Sequence, residues 1–333
     1  MKNRHYILFA ITLVLLLAIY LFLMKTSRVT EMSTGYETIF PGFNSENIQE
    51  IQAFRPPQPE NGVIMAREGD LWVVKNKFNA KADQQRISRL LSQVKDLKGE
   101  LRSQEPSTFP IFELEEQKSV HVAFNDSDGK PLAHFLFGKR SEDANGCFLR
   151  KAGENRVYLV GVNFVSIFQV WKQDEQPSAT RWCDLKLIRL SDPFKVKTCT
   201  LTLPDISVTF EKQEVKSEKE KSKQQWVKIA PAGSPALESA SVEPLVNTIL
   251  GMRGEDVVDP AQTKTLDFSK APFIATFNLT DGSSSEFRIV QKNDLYYGLT
   301  KEDQHVYLVP KAAFDASFGK LAELMETKQN TKN

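Results

Sequence analysis

Cysteine is the first scarcity. Three thiols in 333 residues, with no C-x-x-C spacing, cannot form a disulfide scaffold for a chain of this length. Net charge is also nearly absent: 43 Lys+Arg against 42 Asp+Glu leave +1. The basic residues are scattered and matched by acids, which argues against a nucleic-acid partner. No phosphate loop is present, because Gly251-x-x-Gly254-Glu255 lacks the following Lys-Ser/Thr. What remains is ordinary globular material, 41% apolar and 26% charged. That composition excludes a disordered chain, a collagen-like fibre and a polytopic membrane protein. The length predicts two domains or one duplicated domain.

One long apolar run stands apart. Ile7 to Met24 carries no charge, and only Thr12 falls outside the apolar set. As a helix, that run spans roughly 27 Å, close to the thickness of a bilayer's hydrocarbon core. It exceeds the h-region of a signal peptide, and Lys25-Thr26-Ser27-Arg28 offers no small-x-small cleavage site. The expectation is a retained single-pass anchor at 7–24, after a cytoplasmic n-region at 1–6. Lys2 and Arg4 balance Lys25 and Arg28 across it, so charge does not orient the anchor. The short N-terminus beside a large body favours N-inside, with the body outside the cytoplasm.

The body repeats itself. Leu71-Trp72-Val73-Val74 recurs as Gln225-Trp226-Val227-Lys228. Leu97-Lys98-Gly99-Glu100 recurs as Met252-Arg253-Gly254-Glu255. Asn125-Asp126-Ser127-Asp128-Gly129 returns as Asn278-Leu279-Thr280-Asp281-Gly282, and Val157-Tyr158-Leu159-Val160 as Val306-Tyr307-Leu308-Val309. Matches in one order with a slowly drifting offset define a duplication. The expected organisation is a stalk at 25–45, a first α+β copy at 46–180, a second at 181–325 and a polar tail at 326–333. The fold class is therefore α+β: an N-terminal transmembrane helix and two tandem antiparallel-sheet-plus-helices modules.

Within each copy, the patterning predicts the same elements. Ile48–Phe54 and Cys199–Leu203 alternate as opening strands. A strand pair follows and ends on the tryptophan. In copy two it contains 211–225, where nine of fifteen residues are charged; this reads as a long charged loop. Asp83 caps a helix whose stripe is Ile87, Leu90, Leu91, Val94 and Leu97, with Gly99 stopping it. In copy two, Ser239 or Ser241 caps the stripe Val242, Leu245, Val246, Ile249 and Leu250. Asp128-Gly129 and Asp281-Gly282 are two-residue turn signals that mark hairpins. Centring the first on its turn pairs Val120 with Phe137, Val122 with Phe135 and Phe124 with Ala133. That face is wholly apolar, as a half-buried sheet requires. Final helices are expected at 162–171 and 311–325.

Few chemical candidates emerge. The same register puts His121 and His134 diagonally on the other face, where two imidazoles could hold a metal. Ile274 and Phe287 stand near those places in copy two, and no third ligand is aligned, so the histidines read as packing or solvent-facing. Cys147, Cys183 and Cys199 read as free buried thiols; in an oxidising compartment, Cys183 and Cys199 are the pair most suited to joining. A cysteine nucleophile would need His121, His134 or His305 beside it. Asn125 and Asn278 begin glycosylation sequons at turns that favour Asn in any case. No catalytic, cofactor-binding or metal residues are assigned, and no cofactor is expected.

The anchor, Leu71-Trp72-Val73-Val74, Ala82-Asp83 opening an amphipathic helix, the Val-Tyr-Leu-Val strands and Arg181-Trp182-Cys183-Asp184-Leu185-Lys186-Leu187 have a counterpart. Together they resemble the bacterial domain-of-unknown-function family 4340, over about residues 36 to 325. The Lys/Glu-rich insertion and Lys228 in place of Val74 depart from its pattern. The resemblance implies a single-pass protein of the bacterial inner membrane with a periplasmic body, of a kind often encoded near gliding-motility-type ABC transporter components, and it carries no catalytic residues to transfer. The expected function is a non-enzymatic accessory or structural subunit of an ABC-type export or gliding-motility-like system, with protein partners in that complex. The alternative is an envelope hydrolase or transferase acting on cell-wall or glycan substrates, which would need converging carboxylates or a nucleophile–base pair.

Overall fold

The computed structural model describes residues 13, 35–217, 220–231, 237 and 239–330. The expected anchor at 7–24 lies outside the described residues apart from Leu13. No described helix is long and apolar enough to cross a membrane.

The chain divides into two compact units, one made of residues up to Gly62 with Arg89–Pro177, the other of Val63–Ser88 with Ser178 onward. The first unit holds strands β1 (Tyr36–Thr38), β2 (Glu50–Phe54), β6 (Lys98–Ser103), β7 (Val120–Asn125), β8 (Pro131–Arg140), β9 (Cys147–Lys151) and β10 (Val157–Val160). Their antiparallel order is β1-β6-β10-β9-β8-β7-β2. The second unit holds the hairpin β3 (Val63–Glu68) and β4 (Leu71–Val74), extended by β5 (Ala80–Lys81). It also holds an eight-stranded antiparallel sheet of β11 (Val196–Leu203), β12 (Ile206–Ser217), β13 (Glu220–Ala230), β14 (Asp256–Val257), β15 (Phe273–Leu279), β16 (Ser284–Lys292), β17 (Leu295–Thr300) and β18 (Val306–Val309). The order there is β13-β12-β11-β15-β16-β17-β18-β14.

The two orders coincide strand for strand. β6-β10-β9-β8-β7-β2 in the first unit reads as β14-β18-β17-β16-β15-β11 in the second. Each copy closes its core in the same way. Phe164 and Phe168, one helical turn apart in the helix Phe164–Phe168, meet Phe135 and Phe137 at centroid distances of 4.8 and 5.7 Å. In the second unit Phe314 and Phe318 flank Phe273 at 4.8 and 5.7 Å, and Phe318 lies 6.1 Å from Phe287.

The predicted β7–β8 register is present: Val120 faces Phe137, Val122 faces Phe135, and Phe124 faces Ala133. The turns are longer than two residues. Gly129 N–H donates to the Asp126 carbonyl (3.2 Å) and Asp126 N–H to the Lys130 carbonyl (3.0 Å). Gly282 and Leu279 repeat this pattern, and both glycines have positive φ, +75° and +85°. Each is a three-residue loop with glycine in the left-handed position.

Local expectations are refined in four places. Residues 211–217 and 220–225 are strand, not loop: β12 and β13 pair through Glu211–Val227, Gln213–Gln225 and Val215–Lys223, while 218–219 lie outside the described residues. Charges on a two-stranded ribbon can all face water, so composition alone did not distinguish ribbon from loop. Gly99 lies in β6, and the helix ends at Lys95 (Gln84–Lys95). A Cβ at Gly99 would sit 2.9 Å from Tyr158 Cβ, and one at Gly254 would sit 2.9 Å from Tyr307 Cβ. The repeated Gly-Glu therefore marks close strand packing, not a helix stop. Ser241 lies inside the helix Ser239–Leu250 and does not cap it, whereas Asp83 accepts from Arg86 N–H (3.1 Å) as a cap should. The last helix of copy one is shorter than 162–171, beginning after the Asn163 cap; in copy two, helical residues continue to Asn330.

Candidate functional site

His121 and His134 pack against one another in the first unit. His121 on β7 is buried and stacks on Phe54 at 5.2 Å. Its Nε2 lies 2.8 Å from the Glu116 carbonyl, so that nitrogen carries the proton. Its Nδ1 then faces His134 Nε2 at 3.3 Å as an acceptor. Burial holds both imidazoles below the usual histidine range; for His134 the neighbouring His121 adds to the effect. The ladder also corrects a correspondence: Thr276 pairs with Glu286 where Ala123 pairs with His134, so Glu286, not Phe287, occupies the His134 place in copy two.

Beside them lies Arg150, only 4% exposed on β9. Its Nε donates to the Leu114 carbonyl (3.0 Å), Nη2 to Glu116 (2.5 Å), and its guanidinium covers Phe109 at 4.6 Å. Arg150 thereby fastens the segment 105–119 over the second face of the sheet. Leu114, Leu136 and Val157 form the apolar cluster beneath, with Phe109, Phe112 and Phe148 against it. Composition gives no sign that this arginine is buried.

The second unit has a tighter polar cluster. Tyr307 Oη donates to Asp303 Oδ2 (2.5 Å), and Arg189 donates to Asp303 Oδ2 (2.6 Å) and Tyr307 Oη (2.8 Å). His305 places Nδ1 2.6 Å from Asp303 Oδ1 and Nε2 2.9 Å from the Phe78 carbonyl. Both ring nitrogens face acceptors, which favours the imidazolium. The Asp303 hydrogen bond accordingly raises the His305 pKa. Burial works to raise Asp303, but hydrogen bonds from His305, Tyr307 and Arg189 outweigh it and hold the carboxyl well below its usual range. An Asp–His pair with Nε2 spent on a carbonyl has no free base to offer a substrate. It anchors the turn at Phe78 to the body, as do the Lys77–Asp256 ion pair (2.8 Å) and the Thr180–Asp256 hydrogen bond (2.7 Å). The junction motif does the same through its backbone: Asp83 N–H donates to the Trp182 carbonyl and Asp184 N–H to Lys81, each at 2.7 Å.

All three cysteines are free and buried, so Cys183 and Cys199 are not joined. Burial pushes the Cys147 and Cys183 thiols up to about 12 and raises Cys199 as well, leaving no thiolate nucleophile at neutral pH. The sequon asparagines are strand residues with partners: Asn125 donates to Glu50 (3.1 Å) and Asn278 to Thr198 (3.0 Å). Gly254 packs on Tyr307 and its N–H donates to Leu185, which leaves no phosphate cradle there. Among the described residues, no group of three or more His, Cys, Asp or Glu is placed to hold a metal.

A cleft of about 560 Å³ opens in the first unit. The end of β8 supplies Lys139 and Arg140, the covering segment Glu113, Glu115 and Lys118, and the turn after the last helix Trp171, Lys172 and Gln173. That turn is pinned: Trp171 N–H donates to Glu175 Oε2 (2.8 Å), and Gln173 donates to Glu113 (3.2 Å). Arg55, following β2, donates to the Glu175 (3.2 Å) and Lys172 (3.4 Å) carbonyls. Sequence reading overlooked this site, since its residues come from four separated segments.

Fold and sites together define an α+β protein built on a duplicated antiparallel sheet, in which His121 and His305 are tied to backbone carbonyls and the three cysteines are buried. The profile of the family described as a domain of unknown function, DUF4340, matches residues 72–271, and the chain belongs to that family. No curated protein and no solved structure matches it.

Proposed function

We propose that the protein is a non-enzymatic, membrane-anchored envelope protein, an accessory or structural subunit of an ABC-type export or gliding-motility-like system. The observation that carries this reading is how the reactive groups are spent. His121 and His305 each commit Nε2 to a backbone carbonyl, and the thiols are buried. Such groups serve the stability of each unit, and a duplicated body whose polar groups are spent on structure suits a scaffold. The uncharged run Ile7–Met24 supports tethering, with the body on the outer side of the inner membrane.

Purification in mild detergent from the native cell tests the reading. Transporter subunits are expected to co-purify in fixed proportion; a consistently solitary protein overturns it. Protease added to spheroplasts tests the topology separately: the body should be cut along with a periplasmic control.

A further inference from the structure

We propose that the cleft of the first unit binds an acidic saccharide, with one ring stacked on Trp171 and its carboxylate met by Lys139 and Arg140. The proposal stands independently of the export reading.

Trp171 is 53% exposed at the rim of the cleft. Its backbone is fixed on Glu175, so the indole is presented from a held main chain. The Arg140 guanidinium lies 5.2 Å from its ring centroid, which orders the pair as one surface. An exposed, positioned indole offers the C–H face of a pyranose an apolar platform, and the arginine beside it offers paired donors to a carboxylate.

The charges in the cleft choose among anions. Lys118 is already matched to Glu115 at 2.9 Å, whereas Lys139 and Lys172 make no ion pair among the described residues. The lining therefore has cations to spare. It also carries Glu113, Glu115 and Glu142. Three carboxylates oppose a phosphate-dense ligand such as a nucleotide, because like charges share the same partly desolvated space. They suit a ligand with at most one negative charge per ring and many hydroxyl donors. A uronic-acid oligosaccharide has that chemistry. The volume falls within the usual range of ligand clefts, about 300–1,000 Å³, with room for a short oligosaccharide.

Isothermal titration of the full chain in mild detergent tests this. The probes are tetrasaccharides of galacturonic acid, mannuronic acid and hyaluronan, a neutral galactose tetramer, and ADP. At least one acidic oligomer is expected to bind ten-fold or more tighter than the neutral tetramer and than ADP. Trp171→Ala should weaken it at least ten-fold, with Trp171→Phe recovering most of the loss. The double variant Lys139→Gln/Arg140→Gln should abolish the preference for acid over neutral. Thermal unfolding verifies that each variant is folded; these residues are exposed, and one that unfolds is replaced by Lys139→Arg, which should retain binding. No binding across the acidic panel, equal binding of the neutral tetramer, tighter binding of ADP, or indifference to Trp171→Ala overturns the proposal.

Discussion

The second faces of the two sheets differ although their ladders match. In the first unit, β7 is buried along its whole length, His121, Ala123 and Asn125 included. In the second, β15 alternates, with Ile274 and Thr276 half-buried and Asn278 exposed. The cause is the connection before each strand. Residues 105–119 bring Leu114 and two phenylalanines onto the first sheet. The corresponding stretch of copy two forms only the short turns Pro260–Thr263 and Phe268–Lys270. The arginines track this difference. Leu136 faces Arg150 in the first unit, and Arg288 faces Leu299 in the second, so the two residue types have exchanged strands. Both arginines reach a carbonyl of the connection, Leu114 and Phe268 respectively. Arg150 is buried; the Arg288 side chain is 37% exposed. Duplication preserved the ladder and left the second face free to diverge.

The largest expected effect comes from removing the clasp. Arg150→Ala should cost about 3–4 kcal/mol in urea unfolding, since it leaves the buried Leu114 carbonyl without its donor and opens a cavity against Phe109. Arg288→Ala should cost about 1 kcal/mol or less. Equal losses would mean that the covering segment does not distinguish the copies. Next comes Leu114→Ala, expected to cost about 3 kcal/mol through the cavity beneath the cover, measured in the same way.

Acidity should separate the units with opposite signs. His121, facing Glu116, His134, Arg150 and Arg55, has a folded-state pKa below the free value of about 6.5. Its contribution is present above about pH 6.5 and is lost as pH falls through the folded value. His305, facing Asp303 and Arg189, has a raised pKa. Its contribution is present below about pH 6.5 and is lost as pH rises through the folded value. Hydrogen exchange, corrected for intrinsic rates, should show β7–β8 amides opening more readily on acidification and the Phe78 turn on alkalinisation. His121→Asn and His305→Asn should each flatten one trend only. The smallest effect belongs to the ribbon: shortening β12–β13 between Glu214 and Gln224 should shift stability by about 0.5 kcal/mol or less in thermal unfolding.

Much of this architecture was legible because local signals agreed with the fold. The Asp-Gly turns, the apolar face of β7–β8 and the four repeated strings each required only nearby residues. The ribbon was hidden because charge predicts exposure and exposure is compatible with either loop or edge strand; apolar Val208 and Phe210 begin the strand that the charges extend. Arg150 was hidden because its partners lie 34 and 36 positions away. The cleft was hidden for the same reason: nothing in Trp171-Lys172-Gln173 points to Lys139 until the chain has folded.

The excursion of Val63–Ser88 into the second unit has a consequence for synthesis. Phe78 emerges 227 residues before His305, the residue that holds its carbonyl. At ribosomal rates of about 5–20 residues per second, that interval is on the order of tens of seconds. Throughout it, the β3–β4 hairpin lacks the rest of its own unit, whereas the strands of the first unit are all available once Pro177 has appeared. A nascent chain of this protein therefore carries a waiting hook: the first unit has all its strands long before the residue that holds Phe78 is made.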